Sequence, residues 1–265
     1  MAFDLEGKRV LVTGASSGIG AALAEAFAER GAIVGICARR AGPLEGLLAR
    51  MHQHSPESRM WSIDLSVLEG LESFAADVRS SLGGLDILVN NAGIPKRRQV
   101  TALTPAVVEE VMTINYFSPV RLTLALLPEL IRRRGHIVNI SSVAARLGPP
   151  GEAAYAASKA ALTGWSESMQ VDLAETGVRV HVVNPGIIDT ELFHLPDNDD
   201  VPPAIEALPV EAMVQPVLDQ LDSGTFEIYV PEWFADVVER KFPDTGAFLE
   251  GTIAWVKESR SKEGG

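Results

Sequence analysis

The sequence predicts an α/β protein built on a doubly wound, parallel, seven-stranded sheet with helices on both faces. Three observations point there. Short apolar runs rich in β-branched residues recur at 9–14, 32–38, 60–64, 86–91, 136–141, 178–184 and 226–230. Segments of helical period, such as AALAEAFAER and LEGLESFAADVRSSL, lie between them. The apolar runs also show little polar alternation. Strand alternating with helix is the signature of parallel βαβ units, and near-continuous apolar strands are expected where helices cover both faces of a sheet.

Local punctuation supports the individual elements. TGASSGIG (13–20) turns the first strand into a helix. Thr104 followed by Pro105 supplies an N-cap and a first-turn proline, and Gly177 marks the stop of a long helix that begins near residue 152. Residues 187–210 break the pattern: Asp189, Glu191, Asp197 and Asp199 are followed by prolines at 202, 203 and 209. This stretch reads as a substrate flap with a short helix. After the last strand, 231–265 reads as a helical extension of two helices. Phe193, Leu195, Trp233 and Phe234 in these two regions are either lining for an apolar pocket or core.

The 265 residues, 46% of them hydrophobic, suit one domain spanning 1–265 with a sizeable core. A net charge of −12 and basic runs no longer than Lys96-Arg97-Arg98 or Arg132-Arg133-Arg134 argue against a nucleic-acid partner. Cys37 is the only cysteine, so no intrachain disulfide can form; it reads as an inert, buried strand residue. Lys8-Arg9 followed by VLVTGASSGIGAALA superficially copies a signal peptide, but its centre is too polar. No apolar run reaches the roughly 18 residues of a spanning helix. A cytoplasmic location is expected. His52 and His54 are two apart and do not share a helix face, so no metal site is expected. Trp61, Trp165, Trp233 and Trp255 read as packing.

TGASSGIG places glycines 14, 18 and 20 around a helix start, where unpaired amides and the helix dipole favour a pyrophosphate. A tight turn without ligand is the alternative. The second strand ends in CARRAG, with no carboxylate before Glu45 to accept a ribose 2′-hydroxyl. Arg39 and Arg40 stand where a 2′-phosphate would need charge-assisted donors, so NADP(H) is the preferred cofactor and NAD(H) the alternative. YAASK (155–159) sets a phenol and an ammonium on one helix face.

TGASSGIG, Asp64, NNAG (90–93), Asn115, Ser142, YAASK and NPG (184–186) together resemble the short-chain dehydrogenase/reductase family, in its shorter single-domain branch with a Rossmann-type sheet. The resemblance covers roughly residues 7–190. It implies that Asn115, Ser142, Tyr155 and Lys159 form the catalytic set. Tyr155 would exchange a proton with the substrate oxygen, and a free phenol titrates near pH 10; Lys159 would lower that value by its charge and bond the nicotinamide ribose. Ser142 would donate to the substrate oxygen, while Ser141 points elsewhere. Asn115 would hold a relay water, or else satisfy a neighbouring backbone group.

For the cofactor, the resemblance implies a phosphate loop of Gly14, Ser16, Ser17, Gly18, Ile19 and Gly20. Asp64 and the Leu65 backbone would take the adenine, and Asn91, Ala92 and Gly93 the adenosine ribose. Ile188 and Thr190 would take the nicotinamide carboxamide, and Pro185 and Gly186 before them would also bind the cofactor. NNAG also has a structural reading, stabilising the central sheet. The implied partner is a small carbonyl or alcohol substrate, with a homodimer or homotetramer as assembly. The helical extension departs from the family pattern and puts the tetramer in doubt. A non-catalytic dinucleotide sensor or scaffold is the rival from another class, and the complete four-residue set disfavours it. An epimerase or dehydratase of the longer branch is disfavoured by chain length and glycine spacing.

Overall fold

The structure is a computed structural model that describes residues 3–195, 198–199 and 206–263. Seven strands form one sheet: β1 (Arg9–Thr13), β2 (Ile33–Ala38), β3 (Arg59–Ser62), β4 (Ile87–Asn90), β5 (His136–Ile140), β6 (Arg179–Pro185) and β7 (Glu227–Val230). Their order is β3-β2-β1-β4-β5-β6-β7, and every pair is parallel. The order reverses between β1 and β4, which leaves a crevice at the carboxyl ends of those strands, where open α/β sheets bind ligands.

The helices are α1 (Gly18–Glu29), α2 (Ala41–Met51), α3 (Leu71–Leu82), α4 (Pro105–Met112), α5 (Ser118–Arg133), α6 (Ala144–Leu147), α7 (Ala153–Asp172), α8 (Val214–Ser223), α9 (Phe234–Lys241) and α10 (Thr245–Glu263). Successive strand side chains point to opposite faces. Val10 and Val12 of β1 therefore meet Leu23 and Phe27 of α1 together with α2 and α8, while Leu11 between them meets α3, α5 and α7. Each such buried side chain contributes about 1.5–3 kcal/mol. That double layer explains why the strands carry so little polar alternation.

Most expected boundaries hold, and the exceptions have local causes. Thr104 caps α4 by accepting from the Val107 amide, with Pro105 in the first turn. β3 ends at Ser62 rather than at residue 64, because Asp64 turns back to accept from the Ser66 amide. α7 ends at Asp172, five residues before Gly177; turns follow, with the Thr176 hydroxyl donating to the Leu173 carbonyl, and Gly177 adopts φ +82°. Trp61 is packing, as expected: it lies edge-on to Phe74 and over Gly35, where a Cβ would come within 2.8 Å of its ring. Trp165 packs against the α3, α5 and α7 layer. His52 bonds the Ser58 carbonyl at 3.1 Å, and among the described residues no three metal-ligating side chains converge. Cys37 is buried, and burial pushes its thiol up to about 12.

At the amino ends of β5 and β6, His136 and His181 stack with ring centroids 5.2 Å apart. The Nδ1–H of His181 donates to the Thr225 carbonyl at 3.0 Å, so its Nε2 accepts from Nδ1 of His136 at 2.9 Å. Burial pushes His136 down to about 3 and His181 to about 4. Their folded values lie below the unfolded one of about 6.5, so the stability they support is present above that pH and is lost as pH falls through the folded values. The urea midpoint of unfolding should therefore fall between neutral pH and about pH 5, and it should fall less steeply in an H136Q/H181Q variant. Equal slopes would show that the pair does not couple to acid unfolding.

Candidate active site

The crevice is a cleft of about 990 Å³ that runs from the α1 turn past the ends of β4, β5 and β6 to α10. At one end, Gly14 and Gly18 adopt φ +67° and +58°, a left-handed conformation that glycine tolerates. A Cβ on Gly14 would lie 2.7 Å from the Ala92 Cα, so the loop lies directly on NNAG. No side chain caps α1 at Ser17, which leaves its first-turn amides available to an anion. Arg40 lies across this loop, donating to the Ser16 and Ser17 hydroxyls at 3.1 and 3.0 Å and pairing with Glu191 at 2.7 Å. Arg39 also lines the cleft, and its charge helps hold Asp64 below the usual carboxylate range, behind the larger effect of the Ser66 amide.

At the other end, Ser142 follows β5 and Tyr155 sits in the first turn of α7. Ser142 and Tyr155 both line the cleft, and the Ser142 hydroxyl accepts from the Ala144 amide at 3.1 Å. Ser141, by contrast, is buried against Thr163 at 2.8 Å, as its opposite orientation on the strand requires. Lys159 is 3% exposed, and its Nζ donates to the Ile140 carbonyl at 2.8 Å. Gly93 leaves room for it, since a Cβ there would stand 3.4 Å from Nζ.

The expected lowering of the phenol by Lys159 is not seen. Burial raises Tyr155 well above its ordinary value, the Glu152 carboxyl raises it further, and the Ser142 hydroxyl and Arg97 charge pull it down. Lys159 shares the helix face, but its Nζ lies 5.8 Å from the ring centroid and bonds a carbonyl. Burial also weakens that ammonium, lowering its own pKa to about 8.

A family model described as short chain dehydrogenase matches residues 8–200. The chain belongs to the short-chain dehydrogenase/reductase family. It is 40% identical over 194 residues to the Dehydrogenase/reductase SDR family protein 7-like of Drosophila melanogaster, a match covering 71% of this chain but only 60% of that protein. Among solved structures, a short-chain dehydrogenase from Streptomyces avermitilis is 31% identical with a TM-score of 0.81, covering 96% of this chain and 97% of that one. A short chain dehydrogenase from Burkholderia cenocepacia J2315 in complex with NADP is 29% identical with a TM-score of 0.79, covering 94% and 99%.

Within this short-chain dehydrogenase fold, the residues singled out from the sequence divide into three groups. Gly14, Ser16, Ser17, Gly18, Ile19, Arg39, Arg40, Asp64, Asn91, Ala92, Gly93, Pro185, Gly186 and Thr190 line the cleft with Ser142, Tyr155 and Lys159. Leu65 and Ile188 reach it from the core, their side chains 6% and 2% exposed. Gly20 and Asn115 lie behind it. Gly20 sits under Asn91, whose amide donates to the Thr13 and Gly14 carbonyls at 2.9 and 3.2 Å, so NNAG does brace the sheet. Asn115 lies in a π-turn (Thr113–Phe117) after α4; it accepts from the Ile94 amide and donates to the Ile94 carbonyl and the Ser158 hydroxyl. That geometry matches the backbone-holding alternative.

Arg97, Glu152, Leu147, Val237, Phe248 and Trp255 also line the cleft, and none was assigned to it from the sequence. Trp255 of α10, read as packing, belongs here, and Trp233, which stacks on Phe234 at 3.9 Å, follows the pocket-lining alternative together with Leu195. Phe234 is both wall and core, 5% exposed and seated on Gly186. The flap pairs Ile188 with Leu208 and forms a short turn at Glu191–His194. Its positions 196–197 and 200–205, like the side chain of Phe193, lie outside the described residues.

A Cβ on Gly20 would meet the Asn91 amide nitrogen at 2.4 Å and the Gly14 carbonyl at 2.6 Å. G20A should lose about 2 kcal/mol of stability in chemical denaturation and weaken nucleotide binding with it. Unaltered stability would show that the loop is not packed as described.

Proposed function

We propose that this chain is an NADP(H)-dependent oxidoreductase that moves a hydride between the nicotinamide and a ketone or secondary alcohol, in the main an apolar one. The observation that carries this reading is that Ser142, Tyr155 and Lys159 line one cleft that runs on to an uncapped helix start. The nicotinamide, when bound, gives or takes the hydride; the protein binds, orients and handles the proton. The α1 amides would hold the pyrophosphate, Arg39 and Arg40 the 2′-phosphate, and Asp64 the adenine amino group. Lys159 would bond the ribose.

The proton chemistry follows from the site's electrostatics. Burial and Glu152 raise the Tyr155 phenol, and in its protonated form it would deliver a proton to a carbonyl oxygen in the reductive direction. Ser142 donates to the same oxygen as charge develops there. Leu147, Leu192, Leu195, Trp233 and Phe248 give the cleft apolar walls beyond that point, which supports an apolar substrate. The preference for NADP(H) rests on the two arginines and the missing carboxylate, and the NADP complex of the Burkholderia relative is consistent with it.

Tyr155→Phe should cut ketone reduction by about 10²–10⁴-fold while NADPH still binds, followed by its fluorescence; undiminished turnover would refute the assignment. Arg39→Ala should weaken NADPH roughly tenfold or more, the worth of one charge-assisted hydrogen bond, with NADH nearly unaffected. Equal weakening of both nucleotides would count against a 2′-phosphate site.

A further inference from the structure

We propose that Glu152 is a substrate-recognition residue and that the substrate carries a hydroxyl group beside the reacting carbonyl, on an otherwise apolar body. This deepens the oxidoreductase reading above and rests on it.

Glu152 immediately precedes α7, one helical turn before Tyr155, and it lines the cleft. Its carbonyl accepts from the Ala156 amide at 2.7 Å, but its side chain does not cap the helix. Among the described residues its carboxyl group makes no hydrogen bond. The residue is half-buried and lines the cleft, so an incoming donor can reach an acceptor that no amide or side chain occupies. Here burial raises Glu152 to about 7, and the Arg97 charge opposes that rise. The carboxyl is thus a polar acceptor at the reacting end of a cleft whose remaining walls are largely aliphatic and aromatic.

The surrounding charges select what it accepts. Arg97 faces it from the loop after β4, 5% exposed, with Nε donating to the Asp199 carbonyl of the flap at 3.1 Å. Tyr155 and Lys159 come from α7, Glu110 from α4, and Asp199 from the flap, all on the same cleft. An ammonium on the substrate would be opposed by Arg97 and Lys159, and a carboxylate by Glu152 itself. A hydroxyl is neutral and can donate to Glu152. Because Glu152 is one turn from Tyr155, the donor it meets lies close to the carbonyl that Tyr155 protonates.

The test uses benzoin and deoxybenzoin, apolar ketones that differ only in the hydroxyl beside the carbonyl, with NADPH and the full chain. The kcat/KM for benzoin should exceed that for deoxybenzoin by about tenfold, the discrimination expected of one hydrogen bond. E152Q, which keeps an acceptor, should retain most of that ratio; E152L should bring it near one and remove any change of benzoin KM with pH near neutrality. NADPH binding by each variant reports that it is folded. Turnover of both ketones without discrimination would overturn the Glu152 assignment alone, as would an E152L variant that slows both in parallel with the ratio intact. Turnover of neither by wild-type protein that still binds NADPH would overturn the oxidoreductase reading and this one together.

Discussion

The hydroxyl of Thr13, at the end of β1, joins the two halves of this molecule. It donates to the Val89 carbonyl on β4 and accepts from the Asn91 and Ala92 amides, while the Asn91 side chain returns bonds to the Thr13 and Gly14 carbonyls. These contacts close the point where strand order reverses, and they fix the height of the TGASSGIG loop relative to NNAG. Glycines 14 and 20 are required there because any side chain would enter this small knot. The loop that faces the nucleotide end and the Gly93 backbone beside Lys159 are therefore held by a single set of hydrogen bonds.

The reacting end depends on a different balance. Removing water raises Tyr155 and Glu152 and lowers Lys159, and in each case the charged form is disfavoured. A folded protein tolerates such groups at a cost in stability, which is common where a site must hold a proton ready. Asn115 contributes indirectly. By gripping both polar groups of the Ile94 backbone and the Ser158 hydroxyl, it secures the wall that Gly93 and Lys159 share.

The cleft is completed by segments outside the central sheet. Arg40 reaches Glu191 and Arg97 reaches Asp199, so the α1 end and the Tyr155 end of the cleft are each tied to the segment after β6 by an arginine. The Arg40 pair is exposed and contributes little to stability; its consequence is positional. The helices α9 and α10, which follow the 8–200 span of the family match, bring Phe234, Phe248 and Trp255 to the cleft. Specificity in folds of this kind resides in such additions.

The strand–helix alternation, the double-faced core, the glycine turn and the shared helix face of Tyr155 and Lys159 were legible in the sequence because each rests on short-range patterning, whereas Ser142 was singled out only through the family resemblance. Apolar period, glycine placement and four-residue helical spacing act within a few residues, so the chain states them locally. Tertiary structure alone decided the rest. The phenol's acidity depends on how deeply the ring is buried and on which way the Lys159 ammonium points, and neither follows from a shared helix face. Trp255 and Arg97 reach the cleft only because segments some 160 residues apart meet over it. Glu152 passed unremarked in the sequence since a carboxylate before a helix is ordinary; its cleft-facing position, with no hydrogen bond to its carboxyl among the described residues, follows only from how the sheet, α7 and the final helices pack.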